Sequence, residues 1–202
     1  MILSYKQLIQ FIFPPSADEQ LLMLATEKMF SDLRVQPHTL GYTLLPYREK
    51  MVRAAIHLAK FHHHERALTL LGITLAAYTK THPTSLIIPV PLSTKRYRKR
   101  GYNQVVEIIK AAQKIDPTIH YNDRCLVRAK HTQPQTELDK EARLKNLDGA
   151  FAINLRHVPK NIAELRVVLL DDVLTTGTTM KAARTELIKC KPKSITCVAL
   201  GH

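Results

Sequence analysis

The sequence predicts an α/β fold in which a parallel sheet is flanked by helices. Over the C-terminal two-thirds of the 202 residues, short apolar runs alternate with segments of helical periodicity, a layout typical of parallel sheets. The most apolar run, Val167 to Leu170, is followed by two adjacent carboxylates, Asp171 and Asp172. Because such sheets bind ligands outside the carboxyl ends of their strands, this run also predicts where the site lies.

Three helices are predicted before the alternation begins. Ser16 and Glu19 have the spacing of a capping box, which predicts a helix over residues 17–33. Apolar residues at helical spacing predict two more helices, over residues 46–61 and 65–78.

The remaining elements follow in chain order. Strands are predicted over residues 85–90, 124–129, 150–153, 167–170 and 194–200, and helices over residues 103–112 and 178–189. With 45% hydrophobic residues, the chain is long enough to bury a core. We expect residues 1–41 to form an N-terminal helical extension and residues 42–202 to form the α/β domain.

The net charge is the unusual feature of the composition. Lys and Arg number 30 and Asp and Glu number 17, which gives a formal net charge of +13. Such an excess attracts polyanions, so we expect either a nucleic acid or a small phosphorylated ligand. The sequence has no apolar run long enough for a membrane span and no secretory signal, and we expect a cytoplasmic protein without membrane insertion.

Neither the cysteines nor the histidines predict a metal site. Cys125, Cys190 and Cys197 have no C-x-x-C spacing, so we expect reduced, mostly structural thiols. The run His62–His64 is expected to be a solvent-facing turn, because adjacent histidines point in different directions and lack partner ligands at a known spacing.

The residues after the acidic pair predict a phosphate cradle. Leu174–Thr179 reads L-T-T-G-T-T and leads from the strand into a helix, where Gly177 permits a tight turn and N–H groups point outward. Since carboxylates beside a phosphate would repel it, we expect Asp171 and Asp172 to bind a sugar diol or a magnesium ion. Two alternatives are a Walker B strand, whose G-x-x-x-x-G-K-[ST] partner the sequence lacks, and a turn without function.

Residues 167–180 resemble the phosphoribosyl pyrophosphate (PRPP) binding motif of type I phosphoribosyltransferases. The segment VVLLDDVLTTGTTM matches that motif without interruption. The resemblance implies that Asp171 and Asp172 bind the ribose 2- and 3-hydroxyls and that Mg²⁺ accompanies PRPP. It also implies that the 5-phosphate is held by Thr175, Thr176, Gly177, Thr178 and Thr179.

Two further segments resemble the ComF (ComFC) family of competence-associated proteins. Residues 87–104 read IIPVPLSTKRYRKRGYNQ, and residues 126–146 read LVRAKHTQPQTELDKEARLKN, with D-G-A-F shortly after them. The resemblance implies a mobile flap over residues 130–141. It implies a pyrophosphate-binding loop formed by Val90, Pro91, Leu92 and Ser93. It also places four residues in the flexible loop: Arg128, Thr132, Gln135 and Arg143.

The sequence departs from that family near its N-terminus. Many ComF proteins begin with C-x-x-C pairs that bind zinc, whereas residues 1–124 contain no cysteine. We therefore expect no zinc, and we expect the N-terminal helical segment to pack against the core in place of a zinc module.

The run KRYRKR has five positive charges in six residues, with an aromatic side chain among them. Interleaved cations and aromatic rings suit single-stranded nucleic acid, with charges along the backbone and rings against the bases. The alternatives are that the run only neutralises PRPP or that it is a solvated surface. The candidate nucleic-acid residues are Lys95, Arg96, Tyr97, Arg98, Lys99, Arg100 and Tyr102.

These observations and the ComF resemblance predict a competence protein that binds PRPP and single-stranded DNA and acts in DNA uptake during natural transformation. Other competence proteins are candidate partners. The alternative is an active phosphoribosyltransferase of nucleotide or amine metabolism, and a PRPP-sensing regulator lies between the two. The sequence identifies no catalytic residue and no acceptor, but transfer on this fold depends on positioning and charge rather than on a side-chain nucleophile.

Overall fold

The first half of the described chain is mostly helical, with a short hairpin between its helices. The structure is a computed structural model and describes residues 15–129 and 149–202. Its elements up to residue 81 are α1 (Ala17–Leu24), α2 (Glu27–Ser31), β1 (Gln36–His38), β2 (Gly41–Leu45), α3 (Lys50–Phe61) and α4 (Glu65–Thr81).

Strands and helices alternate through the rest of the described chain, which confirms the predicted α/β class. The elements are β3 (Leu86–Pro89), α5 (Thr94–Arg100), α6 (Gln104–Ile115), β4 (Leu126–Arg128), β5 (Phe151–Ile153), β6 (Arg166–Val173), α7 (Thr178–Ile188) and β7 (Ser194–Gly201). Two short 3₁₀ helices, Leu155–His157 and Ile162–Glu164, lie between β5 and β6.

Strand β6 lies inside a five-stranded sheet with the order β1-β2-β7-β6-β3. It is parallel to both neighbours, with Val167 opposite Leu86 on β3 and opposite Ile195 on β7. Strand β7 is parallel to β2, whereas β1 is antiparallel to β2 at the edge. Strands β4 and β5 form a separate antiparallel pair. The parallel strands therefore end at one edge of the sheet, where the acidic pair lies.

Helices cover both faces of the sheet, which explains why β6 is apolar at consecutive positions. Val168 and Leu170 belong to a buried cluster that includes side chains of α3, α4 and α6. Val167 and Leu169 belong to a second cluster that includes side chains of α7 and of the β4–β5 pair. A strand covered on both faces takes apolar residues at every position rather than at alternate ones.

The helix predicted over residues 17–33 is instead two helices. Ala25 is extended, with φ −72° and ψ 135°, and ends α1. Arg66 on α4 donates to the carbonyl oxygens of Leu22 and Ala25 at 3.1 and 2.7 Å. This tertiary contact satisfies the end of α1, and a local capping pattern does not reveal it.

Other boundaries shift by a few residues. The largest shift is at α3, which begins at Lys50 rather than at residue 46, because Glu49 donates its N–H to the carbonyl of Pro46 and closes a turn there. The hairpin of β1 and β2 and the helix α5 are not predicted from the sequence. Among the helices of residues 15–129 and 149–202, none combines the length and the apolar character needed to cross a bilayer.

The three cysteines are free thiols. Cys125 and Cys197 are buried, and burial raises the pKa of both to about 11. Cys190 is partly exposed, and burial raises its pKa as well. Thiols with raised pKa values are unreactive, in agreement with the structural role predicted for them.

Candidate functional site

A cavity of about 320 Å³, called the first cavity below, lies at the carboxyl end of β6. It brings together three segments that the sequence suggests separately: the acidic pair, the threonine loop and the residues that follow β3. Six further side chains from several elements complete it: Tyr47, Lys60, Arg96, Arg100, Gln104 and Arg128.

Asp172 is the buried member of the acidic pair, with 6% of its surface exposed. Its Oδ2 atom accepts a hydrogen bond from Gln104 Nε2 at 2.9 Å and lies 3.1 Å from Lys60 Nζ. Its Oδ1 atom accepts the backbone N–H of Val173 at 2.8 Å. Both carboxylate oxygens are therefore engaged, and the buried charge has the partners that it requires.

Asp171 lines the first cavity and is partly exposed. Its Oδ1 atom accepts the backbone N–H of Asp172 at 2.8 Å. Burial first, and the neighbouring Asp172 carboxylate second, raise the pKa of Asp171 to about 8. Both causes disfavour the charged form of the Asp171 carboxyl.

The loop Leu174–Thr179 joins β6 to α7 and forms another wall of the first cavity. Gly177 has a φ of 70°, in the left-handed region, and a Cβ there would lie 2.6 Å from Leu40 Cδ1. The hydroxyls of Thr176 and Thr178 are 2.8 Å apart. Because α7 begins at Thr178, its first N–H groups and its positive dipole end are at the cavity. This arrangement suits a phosphate group.

Three of the four residues predicted for a pyrophosphate loop line the first cavity. Val90 extends the pairing of β3 by donating its N–H to a β6 carbonyl at 2.8 Å, and its own carbonyl accepts from Asn103 Nδ2 at 3.1 Å. Pro91 and Leu92 follow it along the cavity wall. Ser93 instead caps α5, because its Oγ accepts a backbone N–H of that helix at 3.3 Å.

The basic run forms α5, and its positive side chains do not act as one cluster. Arg96 and Arg100, one turn apart, line the first cavity. Arg100 Nη1 donates to Gln104 Oε1 at 2.9 Å, so a chain of hydrogen bonds runs from α5 through Gln104 to Asp172. The remaining cations of the described helix are exposed and line neither this cavity nor the second one below: Lys95, Arg98 and Lys99.

Arg128 lies on strand β4 rather than in the flexible loop that the ComF resemblance implies. Its guanidinium group is 5.0 Å from the centre of the Phe151 ring, and its pKa is lowered by burial and by the nearby Arg96. Three arginines thus converge on the first cavity. The predicted flap lies outside the described residues, together with the rest of the predicted flexible loop: Thr132, Gln135 and Arg143.

A second cavity, of about 450 Å³, lies beside the first. Pro91, Leu92 and Arg128 line both cavities. Tyr97 lines the second cavity with 53% of its surface exposed. Tyr102 lines it too, but its hydroxyl donates to a carbonyl of α3 at 3.0 Å. The same hydroxyl accepts a backbone N–H from the connection between α3 and α4 at 2.8 Å. Of the two predicted stacking residues, Tyr97 has the more available ring.

The run His62–His64 connects α3 to α4, as predicted. His64 Nδ1 accepts the N–H of Ala67 at 3.4 Å and so caps α4. His63 Nε2 lies 3.4 Å from Glu107 Oε2. Within residues 15–129 and 149–202, no group of three His, Cys, Asp or Glu side chains is arranged to hold a metal ion, and the predicted lack of zinc stays a prediction.

The site residues Lys60 and Gln104 are not predicted from the sequence. Lys60 follows the buried Ala59 on the amphipathic helix α3, and a lysine beside an apolar face is the only signal that the sequence offers. Gln104 ends the run R-G-Y-N-Q and is 2% exposed. Its partner Asp172 is 68 positions away, so no local pattern reveals the contact.

A model of the phosphoribosyl transferase domain matches residues 47–201. Competence protein F of Haemophilus influenzae is 36% identical over 115 residues, which are 55% of this chain and 48% of that protein. Competence protein ComFC of Bacillus subtilis is 29% identical over 131 residues, which are 62% of this chain and 48% of that protein. The chain spans about half the length of the curated relatives it matches.

Solved structures are more distant. A phosphoribosyltransferase from Corynebacterium diphtheriae is 14% identical and covers 92% of this chain and 83% of its own, with a TM-score of 0.41. That likeness is too weak to add to the family match.

Proposed function

Because the chain belongs to the phosphoribosyl transferase domain family and, within it, to the ComF group of competence proteins, we propose that it binds PRPP in the first cavity and handles single-stranded DNA in natural transformation. One observation carries the PRPP proposal: the carboxyl pair and the loop Leu174–Thr179 line the same cavity. A ribose 5-phosphate offers hydroxyls to the first and its phosphate to the second.

The charge of the first cavity supports a second anionic group besides the 5-phosphate. Lys60, Arg96, Arg100 and Arg128 are four cationic side chains against two carboxyls. The pyrophosphate of PRPP requires such cations, and Arg96 and Arg100 lie on the helix that directly follows the predicted pyrophosphate loop. Two arginines of the basic run would therefore bind the small ligand.

The two aspartates have different roles in this proposal. Asp171 contacts the ribose diol, since it lines the cavity and its carboxyl oxygens can accept hydrogen bonds from the hydroxyls. Asp172 holds Lys60 and Gln104 in place and orients Asp171 through its backbone N–H. Asp172 is thus mainly a positioning residue.

The donor set fits a Mg²⁺ ion that arrives with PRPP. Mg²⁺ keeps several waters and takes one or two carboxylates plus phosphate oxygens of the ligand. Asp171 would supply the carboxylate, because it lines the cavity and has no lysine partner at salt-bridge distance among the described residues. When bound, Mg²⁺ neutralises part of the pyrophosphate charge and lowers the pKa of a carboxyl beside it.

The exposed face of α5 supports the DNA part of the proposal. Lys95, Arg98 and Lys99 are solvent-exposed on one helix. Neighbouring cations of this kind bind a phosphate backbone without sequence preference. The relatives named for competence give that partner its biological setting.

A second candidate function is phosphoribosyl transfer, favoured by the arginines beside the predicted pyrophosphate loop. In that reaction the bond from ribose C1 to pyrophosphate oxygen breaks, pyrophosphate leaves with the electron pair, and an acceptor nitrogen bonds to C1 and releases its proton to water. Arg96 and Arg100 would stabilise the charge that grows on the leaving pyrophosphate. Pyrophosphate release that requires both the protein and a nitrogen base or amine would establish transfer, and its absence across such acceptors would leave the binding role.

Calorimetric titration of PRPP tests the main proposal. We expect binding that depends on Mg²⁺ and is weaker for ribose 5-phosphate, which lacks the pyrophosphate. Replacing Asp171 and Asp172 together with alanine should remove most of the affinity, since a hydrogen bond to a charged group is worth about 1.5–3 kcal/mol. As a matched control, E164A removes an exposed carboxylate that lines neither cavity of the described structure. Unchanged PRPP binding by a folded double variant would contradict the assignment.

A further inference from the structure

Helix α5 presents three faces to three different surroundings. An α-helix advances by about 100° per residue, so seven residues distribute around its whole circumference. Arg96 and Arg100 face the first cavity, and Thr94 and Tyr97 face the second. The third face is exposed and carries Lys95, Arg98 and Lys99. The second cavity therefore lies next to a cationic surface without being lined by that surface.

The second cavity has the chemistry of a site for a flat, polar ring. Pro91, Leu92 and Val106 give it apolar walls, and Tyr97 adds an exposed aromatic ring. The cavity has two acidic side chains, Glu107 and Asp123, and two cationic ones, Lys110 and Arg128. Glu107 is paired with Lys110 Nζ at 2.8 Å, so the exposed Asp123 is the better placed carboxylate to accept hydrogen bonds from an occupant. A nucleobase fits this combination, because its ring can stack on tyrosine and its amino groups can donate to carboxylates.

We propose that the second cavity binds one unpaired base of a single-stranded nucleic acid whose phosphates lie on Lys95, Arg98 and Lys99. The base stacks on Tyr97, and Arg128 lies at the boundary with the PRPP site. This inference rests on the proposed function, since it assigns a place to the DNA strand. The volume of about 450 Å³ is within the range of about 300–1,000 Å³ typical of ligand pockets.

The test compares two ligands that share a backbone and differ in their bases. Fluorescence anisotropy is measured with a short labelled single-stranded DNA and with an abasic strand of equal length, which keeps every phosphate. Wild-type protein should bind the strand with bases about 5- to 150-fold more tightly, the range expected for one stacked base. Tyr97→Ala should lose that preference and bind both strands alike, whereas Tyr97→Phe, which keeps the ring, should retain it.

Two control variants separate the base contact from charge and from general effects. Tyr42→Ala removes a tyrosine that is 42% exposed on β2 and lines neither cavity in the described part of the chain, and it should behave as wild type. Lys95→Ala should weaken both strands equally and lower the salt dependence of binding. The Tyr97 effect should change little with salt.

The outcomes distinguish this inference from the proposed function. If wild-type protein binds both strands equally, or if Tyr97→Ala keeps the preference for bases, the second cavity is not a base site. If no strand binds at all, both the inference and the DNA part of the proposed function fail. PRPP binding, measured separately by calorimetry, should be unchanged in Tyr97→Ala. If wild-type protein does not bind PRPP, only the PRPP part of the proposed function is overturned.

Discussion

The two cavities on either side of Pro91 and Leu92 are built in different ways. The first takes its side chains from segments far apart in the chain, and buried hydrogen bonds through Gln104 and Asp172 join those segments. The second is lined mostly by one continuous stretch, residues 89–110. A cavity built on a buried polar network depends on every partner in it, whereas a surface cavity tolerates change. Substitutions should therefore affect stability at the first cavity and only ligand binding at the second.

The strongest test of this difference is to remove Lys60. Lys60→Met leaves the buried Asp172 carboxylate without its cation, and we expect the free energy of unfolding to fall by about 2–4 kcal/mol, somewhat less than for a fully buried pair because the Lys60 side chain is 27% exposed. Denaturant unfolding measures the change. Lys50→Met, at the exposed start of the same helix, is the matched control. Adding Asp172→Asn to Lys60→Met should recover part of the loss, and a double-variant cycle without coupling would contradict the pairing.

A second test separates neighbouring residues of α5. Arg96→Ala should weaken PRPP binding by about 10- to 150-fold, the equivalent of about 1.5–3 kcal/mol for one lost charge-assisted contact. Lys95→Ala, one residue away on the exposed face, should leave PRPP binding unchanged and weaken binding of single-stranded DNA instead. Calorimetry and anisotropy give the two affinities. Equal losses of PRPP affinity in both variants would show that the faces of α5 are not distinct.

The smallest expected effect is on the pH dependence of stability. The pKa of Asp171 is raised from 3.8 to about 8 in the folded protein, so the folded state keeps a proton that the unfolded state releases. The contribution of the Asp171 carboxyl to the free energy of unfolding therefore falls as pH rises from about 4 to about 8. Asp171→Asn should remove the trend and gain about 1 kcal/mol over wild type at the alkaline end, a value well below the full shift because Asp171 is partly exposed.

The control for Asp171→Asn is Asp123→Asn, which changes an exposed carboxyl of the second cavity. That variant should keep the wild-type pH profile of unfolding. A parallel profile for wild type and Asp171→Asn would show that Asp171 is ionised in the folded protein.

Local patterns in the sequence predict the α/β class and the phosphate cradle, because both depend on neighbouring residues. The alternation of strands and helices needs only hydrophobic periodicity, and the loop around Gly177 needs only its own residues. The break at Ala25 depends on Arg66, and the role of Asp172 depends on Lys60 and Gln104. Such contacts form only once the chain has folded.

The basic run shows how a correct local observation can still mislead. Its charges and its tyrosine are evident in the sequence, but six consecutive letters do not say which side chains share a face. The missing information is that the run is helical, and Ser93 marks where the helix begins, because its hydroxyl caps α5. With that cap identified, spacing alone would have placed Arg96 and Arg100 together.

The position of Arg128 has a consequence for how two ligands would share this protein. A guanidinium group has five N–H donors in one plane, and Arg128 borders both cavities. A ligand in one cavity that accepts hydrogen bonds from Arg128 leaves fewer N–H donors for a ligand in the other cavity. By thermodynamic reciprocity, PRPP and a nucleic-acid strand would then alter each other's affinity by the same factor. Through this one side chain, the concentration of PRPP would affect how much nucleic acid is bound, and bound nucleic acid would affect how much PRPP is bound.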